Sequence, residues 1–141
     1  KNVISAKIKY PNYVICGYDK VHKFENPKSE NLPKVVVNHN QELIYISRAV
    51  VPGKKTKEAK VNYLKQVCIY AFNREQLKKF YIKKKKSETE KIEDIEILRF
   101  FDLNVKIKMV RLHSNSVAVD VISDVKKAEK ILINEKKIYR Q

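Results

Sequence analysis

No tryptophan occurs in this chain, arginine is scarce, and glycine appears at two positions only. Each shortage removes a class of function. Sequence-reading nucleic-acid sites lean on arginine forks and stacked aromatics. Here only Arg48, Arg74, Arg99, Arg111 and Arg140 stand among 31 basic residues. A net charge of +15 still favours polyanions, but the lysines are scattered, as on a solvated surface. No G-x-S-x-G or Walker-type loop is present, which speaks against hydrolytic nucleophile chemistry and a P-loop. His22, His39 and His113 show neither metal-ligand spacing nor a nucleophile partner. Cys16 and Cys68 lack any C-x-x-C companion and sit in apolar runs, so both are expected to be buried free thiols in a reducing compartment. No apolar stretch is long enough to span a bilayer and no signal peptide is visible; the expectation is a cytoplasmic protein without a membrane partner.

What is present suits one α/β domain, residues 1–141, with 43% hydrophobic and 33% charged residues. No internal repeat is visible. Val3, Ile4 and Ile8 suggest a helical end stopped before Pro11. Tyr13 to Tyr18 reads as a buried strand, and Asn26 to Pro33 as a polar loop. Val35–Val37 and Leu43–Ile46 look like a hairpin around Asn38 to Gln41. Pro52 to Lys57 reads as a turn and mobile loop, and Tyr63 to Phe72 as a long strand. Arg74 to Tyr81 then forms a short helix with Leu77 and Phe80 inward. Lys83 to Lys86 reads as a solvated linker, and Ser87-x-x-Glu90 as a capping box. The spacing of Ile92, Ile95, Leu98 and Phe101 predicts a helix over 90–103 with those residues on its core face. Val105 to Leu112 and Val117 to Val119 read as strands. Ser123 can cap a last helix facing inward through Val125, Ala128, Ile131 and Leu132. Strands interspersed with helices, one pair a hairpin, imply a mixed sheet.

Four polar side chains stand out. Glu96 flanks the apolar stripe of its helix, where a carboxylate can accept two hydroxyl hydrogen bonds from a polyhydroxylated ligand. Glu93 would support it or pair with a cation, while Glu88, Glu90 and Asp94 read as solvated. Asp120 ends a short apolar strand, a position that suits a hard cation such as Mg²⁺ or the capping of the next helix. Arg48 follows an apolar strand and needs an anionic partner, internal or on a substrate. Gln66 interrupts an apolar strand and either turns into a cleft or is satisfied internally.

Four stretches carry a resemblance. Pro33 to Val37 leads to Tyr45-Ile46-Ser47-Arg48-Ala49-Val50-Val51-Pro52; Gln66 to Phe72, Ser87 to Arg99 and Val117 to Val121 follow in order. In this order the chain resembles the carboxyl-terminal part of the CMP-sugar synthetases, closest to the 3-deoxy-manno-octulosonate cytidylyltransferases. The resemblance implies a Rossmann-like nucleotide-sugar transferase fold and a homodimer. It also implies Mg²⁺-dependent transfer of CMP from CTP to a sugar acid, releasing pyrophosphate, in bacterial lipopolysaccharide or capsule synthesis. Carried over by position, Asp120 becomes a metal ligand, Arg48 a partner on the sugar-acid side, and Gln66 and Glu96 sugar-hydroxyl contacts. Ile97 stands where a glutamine is usual, Cys68 and Ala118 where glycines are, and Val121 where a threonine is. The family's amino-terminal phosphate loop and G-D-E-P turn are not found in these 141 residues. The resemblance therefore implies a carboxyl-terminal fragment without transferase activity of its own. The rival reading is a non-catalytic basic α/β module that binds nucleic acid or a protein partner.

Overall fold

The computed structural model describes residues 2–113 and, beyond them, positions 119, 122, 125, 126, 128–130, 132 and 133. The strand expected at Val117 to Val119, Asp120 and the cap at Ser123 therefore lie outside the described residues, Val119 apart. Helix α1 (Asn2–Lys9) leads to β1 (Val14–Lys20); β2 (Lys34–Val37) and β3 (Leu43–Ser47) follow as a hairpin, then β4 (Leu64–Ala71). Helices α2 (Arg74–Ile82) and α3 (Glu88–Glu93), a 3₁₀ turn over Glu96–Leu98, α4 (Arg99–Asp102) and β5 (Ile107–Arg111) complete the order.

The five strands form one sheet in the order β3-β2-β4-β1-β5. Only β1 and β5 pair in parallel; the other pairings are antiparallel, so the sheet is mixed as the sequence predicts. The sheet curls enough for the turn of the hairpin to reach its far edge. Met109 N–H donates to the Gln41 carbonyl at 2.7 Å, and Glu42 bridges to Lys108. Gln41 sits at φ 58°, the left-handed conformation this turn needs.

The core lies between the sheet and the segment after α3. Val14, Cys16, Ile46, Leu98 and Phe100 are essentially without exposure. Phe100 stacks on Phe72 at 5.5 Å and meets Phe80 at 5.3 Å between ring centres, so three elements are joined through one aromatic side chain.

The predicted helix over 90–103 is broken. Asp94 is left-handed at φ 50° and Ile95 extended, so the helical phase restarts at Glu96. Ile92 is consequently 82% exposed, while Ile95, Ile97, Leu98 and Phe100 take the core positions. The break is enforced from outside the helix: the carbonyls of Glu93 and Asp94, left open at its end, accept bonds from the Arg48 side chain. Ser87 caps α3 as the spacing predicts, its hydroxyl accepting from Glu90 N–H while Glu90 accepts from Ser87 N–H. Asn73 and Gln76 build the same reciprocal cap on α2. There Gln76 is buried and Leu77 is 51% exposed, against the expected inward Leu77. Gln76 is drawn in because its amide also bonds the Asn12 carbonyl and accepts from Lys7. Lys84, Lys85 and Lys86 are exposed, in keeping with a solvated linker.

Candidate functional site

A row of polar residues crosses the sheet where none was expected. Ser47 pairs with Lys34, Lys34 with Lys65, and Lys65 with Asp19; all four are buried. Buried polar groups must be bonded, and what binds the lysines is the irregular segment 21–33. Lys34 Nζ donates to the carbonyls of Ser29 (2.9 Å) and Arg48 (2.5 Å). Lys65 forms an ion pair with Glu25, whose second oxygen accepts His22 N–H at 2.8 Å. Burial holds the Lys34 ammonium below the usual lysine range, with Glu93 pulling the other way. The signal for this row was available in the sequence, as lysines placed inside strand patterns at positions 34 and 65.

Segment 21–33, strand β4 and the chain from Asp94 to Glu96 enclose a cleft of about 550 Å³. Arg48, Gln66 and Glu96 all line it, with Cys68, Tyr70 and Asn31. Three of the four residues singled out from sequence thus meet in one cavity; the fourth, Asp120, lies outside the described residues. Among the described residues, no group of three or more histidines, cysteines or acidic residues could hold a metal.

Arg48 comes into the cleft wall from the end of β3. Its guanidinium does not meet a carboxylate. Nε donates to the Glu93 carbonyl (2.6 Å), Nη1 to that of Glu30 (2.9 Å) and Nη2 to that of Asp94 (3.2 Å). Of the five N–H groups of a guanidinium, these bonds leave two. The Glu93 carboxylate is occupied in turn by the Ser47 hydroxyl at 2.6 Å, Tyr45 at 3.3 Å and Arg48 N–H at 2.8 Å. Glu93 therefore fastens the end of β3 to the end of α3, a firmer role than supporting Glu96.

Gln66 lies within β4, near its start, rather than at a strand tip, and is 8% exposed. Its Nε2 donates to Tyr70 Oη at 2.6 Å. Burial, followed by the neighbouring Cys16 and Cys68, pushes the Tyr70 phenol well above its usual range, so it stays protonated. Glu96 is exposed at the start of its 3₁₀ turn, its carboxylate open to a ligand. Glu90, expected to be solvated, is fully buried. It pairs with Arg99 through two bonds, one of them 2.6 Å from Nε. That hydrogen-bonded guanidinium holds the Glu90 carboxyl below its usual range.

The two thiols differ, contrary to expectation. Cys16 is buried beside Gln66, which pushes its thiol up to about 12. Cys68 is exposed in the cleft. The cause is a bulge: Cys16 pairs with Tyr70 but Gly17 with Val67, so Cys68 and Ile69 have no partner on β1 and the strand turns Cys68 outward.

Residues 1–137 match the family model described as Cytidylyltransferase. The chain belongs to this cytidylyltransferase family. A 3-deoxy-manno-octulosonate cytidylyltransferase of Flavobacterium johnsoniae is 36% identical over 102 residues, 72% of this chain and 41% of that protein. One from Bacteroides thetaiotaomicron is 28% identical over 142 residues, 94% of this chain and 56% of that protein. The chain thus spans about half the length of the curated relatives it matches. Among solved structures, CMP:2-keto-3-deoxy-manno-octonic acid synthetase complexed with CTP superposes with a TM-score of 0.80 at 27% identity, over 94% of this chain and 54% of that one. The α/β fold with a mixed sheet is therefore that of a cytidylyltransferase. Ile97, which stands where the resemblance expects a glutamine, is 3% exposed and belongs to the core.

Proposed function

We propose that this cytidylyltransferase-family chain forms the sugar-acid-binding side of a CMP-sugar synthetase, which transfers CMP from CTP to a sugar acid such as 3-deoxy-manno-octulosonate. The observation that carries this reading is the meeting of Arg48, Gln66 and Glu96 in one cleft of about 550 Å³. That volume suits one small ligand. Glu96 accepts hydroxyl hydrogen bonds. The Gln66 amide, oriented by Tyr70, offers its carbonyl oxygen, and the two unfilled N–H groups of Arg48 face the carboxylate of the sugar.

The cleft's task is orientation. Holding the sugar by its hydroxyls and carboxylate presents its anomeric hydroxyl to the α-phosphate of CTP. The new bond joins that oxygen to phosphorus, the bond to the pyrophosphate oxygen breaks, and pyrophosphate leaves. Fixing this approach makes the reaction effectively unimolecular. Mg²⁺ is the cofactor of this reading, with Asp120 as its ligand, and when bound it offsets charge on phosphate and sugar oxygens. The same reading includes a cytoplasmic homodimer acting in surface-polysaccharide synthesis. No helix among the described residues is long and apolar enough to cross a membrane.

Calorimetric titration of the chain with 3-deoxy-manno-octulosonate tests the proposal. Binding should weaken about tenfold or more in Glu96→Gln and in Gln66→Ala, as expected when a polar contact to a bound ligand is lost. Equal affinity in both variants would refute these assignments. Salt-sensitive binding to duplex DNA in place of the sugar acid would favour the basic-module reading instead.

A further inference from the structure

The cleft has two walls that share no backbone pairing in any sheet. One is segment 21–33, which contributes Glu25 and Asn31; the other is the chain from Asp94 to Glu96. Segment 21–33 has no regular secondary structure, and its Phe24 is 61% exposed, so apolar burial does little to fix it. It is held instead by cations on the sheet: Lys65 at Glu25, Lys34 at the Ser29 carbonyl and Arg48 at the Glu30 carbonyl.

Arg48 alone among these also grips the opposite wall, through the carbonyls of Glu93 and Asp94. We propose that Arg48 is a positioning residue that clamps the two walls of the cleft at a fixed separation, and that this clamp sets the affinity for the sugar acid. The inference rests on the proposed sugar-acid reading and deepens it. A planar fork is required: three carbonyls on separate chain segments are reached at once from one side chain, which the single ammonium of lysine cannot do. Lys34 reinforces the clamp from behind, donating to the Arg48 carbonyl and to the Ser29 carbonyl, without itself lining the cleft.

The proposal separates from a direct charge contact. Were Arg48 only the counter-ion of the sugar's carboxylate, Arg48→Lys would retain much of the affinity for the acid, and the methyl ester of the sugar acid would be indifferent to the change. If Arg48 is a clamp, Arg48→Lys weakens the acid and its methyl ester by a similar factor of about tenfold or more, because pre-organisation is lost for both. Lys34→Met, outside the cleft, should weaken both ligands in the same direction. Hydrogen exchange on the unliganded chain gives a second readout. In Arg48→Lys the amides of 26–32 and of 95–98 should exchange faster together, about tenfold or more, while those of β1 keep their protection.

Loss confined to the acid, or unchanged exchange in either wall, overturns the clamp. A wild-type chain that binds neither ligand overturns the sugar-acid reading, and the clamp then stands or falls on the exchange result.

Discussion

Replacing Glu90 by glutamine should destabilise the protein far more than a surface charge change would. The carboxylate is fully buried, accepts two bonds from Arg99 and one from Ser87 N–H at 3.2 Å, and faces a guanidinium whose side chain is 11% exposed. Arg99 also lies over the Phe80 ring at 3.9 Å, so it cannot simply swing into water without giving up that packing. Removing one partner of a buried pair leaves the other charge uncompensated, which costs about 3–5 kcal/mol. At a urea dependence of about 2 kcal/mol/M, the midpoint falls by about 1.5–2.5 M. Tyrosine fluorescence suits the measurement, since the chain has eight tyrosines and no tryptophan. The pH dependence carries the sign. Arg99 lowers the folded pKa of Glu90 from its usual 4.5. The pair's contribution is therefore present above that unfolded value and is lost as pH falls through the lowered one. The wild-type chain should lose stability below about pH 4.5, and Glu90→Gln should lack that component. A midpoint shift under about 0.5 M, or an unchanged acid profile, would refute the reasoning.

Two further outcomes follow from the bulge in β4. A thiol reagent such as dithionitrobenzoate should modify one cysteine in the native chain and both in urea. Peptide mapping should place the native adduct on Cys68, and a native adduct on Cys16 would contradict its burial. Gly17→Ala should destabilise by about 1–3 kcal/mol through overpacking, since a Cβ there would stand 2.6 Å from Leu112 Cδ1 and 2.7 Å from Ile69 Cγ2; chemical denaturation showing no loss would mean that the bulge gives way freely.

The strands, the hairpin and the cap at Ser87 could be read from residue patterns, because each depends on neighbours along the chain. So could the gathering of Arg48, Gln66 and Glu96, through motifs in a recognisable order. Position along the elements was less legible. The stripe from Ile92 to Phe101 has helical spacing, yet Arg48, over forty residues earlier, ends the helix at Asp94 and shifts Ile92 to the surface. Glu90 looked like a solvated acid because nothing local shows that Arg99 folds back onto it. Cys68 lies in an apolar run, but its exposure comes from register against β1, a property of two strands together. The roles of Lys34 and Lys65 were missed for the same reason: their partners belong to a loop whose placement only the folded sheet defines.

The account depends most on the cleft being where the sugar acid sits. Titrating isotope-labelled chain with 3-deoxy-manno-octulosonate and following amide and side-chain resonances tests this directly. The account predicts shifts concentrated at Asn31, Gln66, Cys68, Tyr70 and Glu96, around the cavity those residues enclose. Shifts clustered instead around Asn12, Asn73 and Lys106, which line a separate cavity, or no shifts at millimolar ligand, would contradict it.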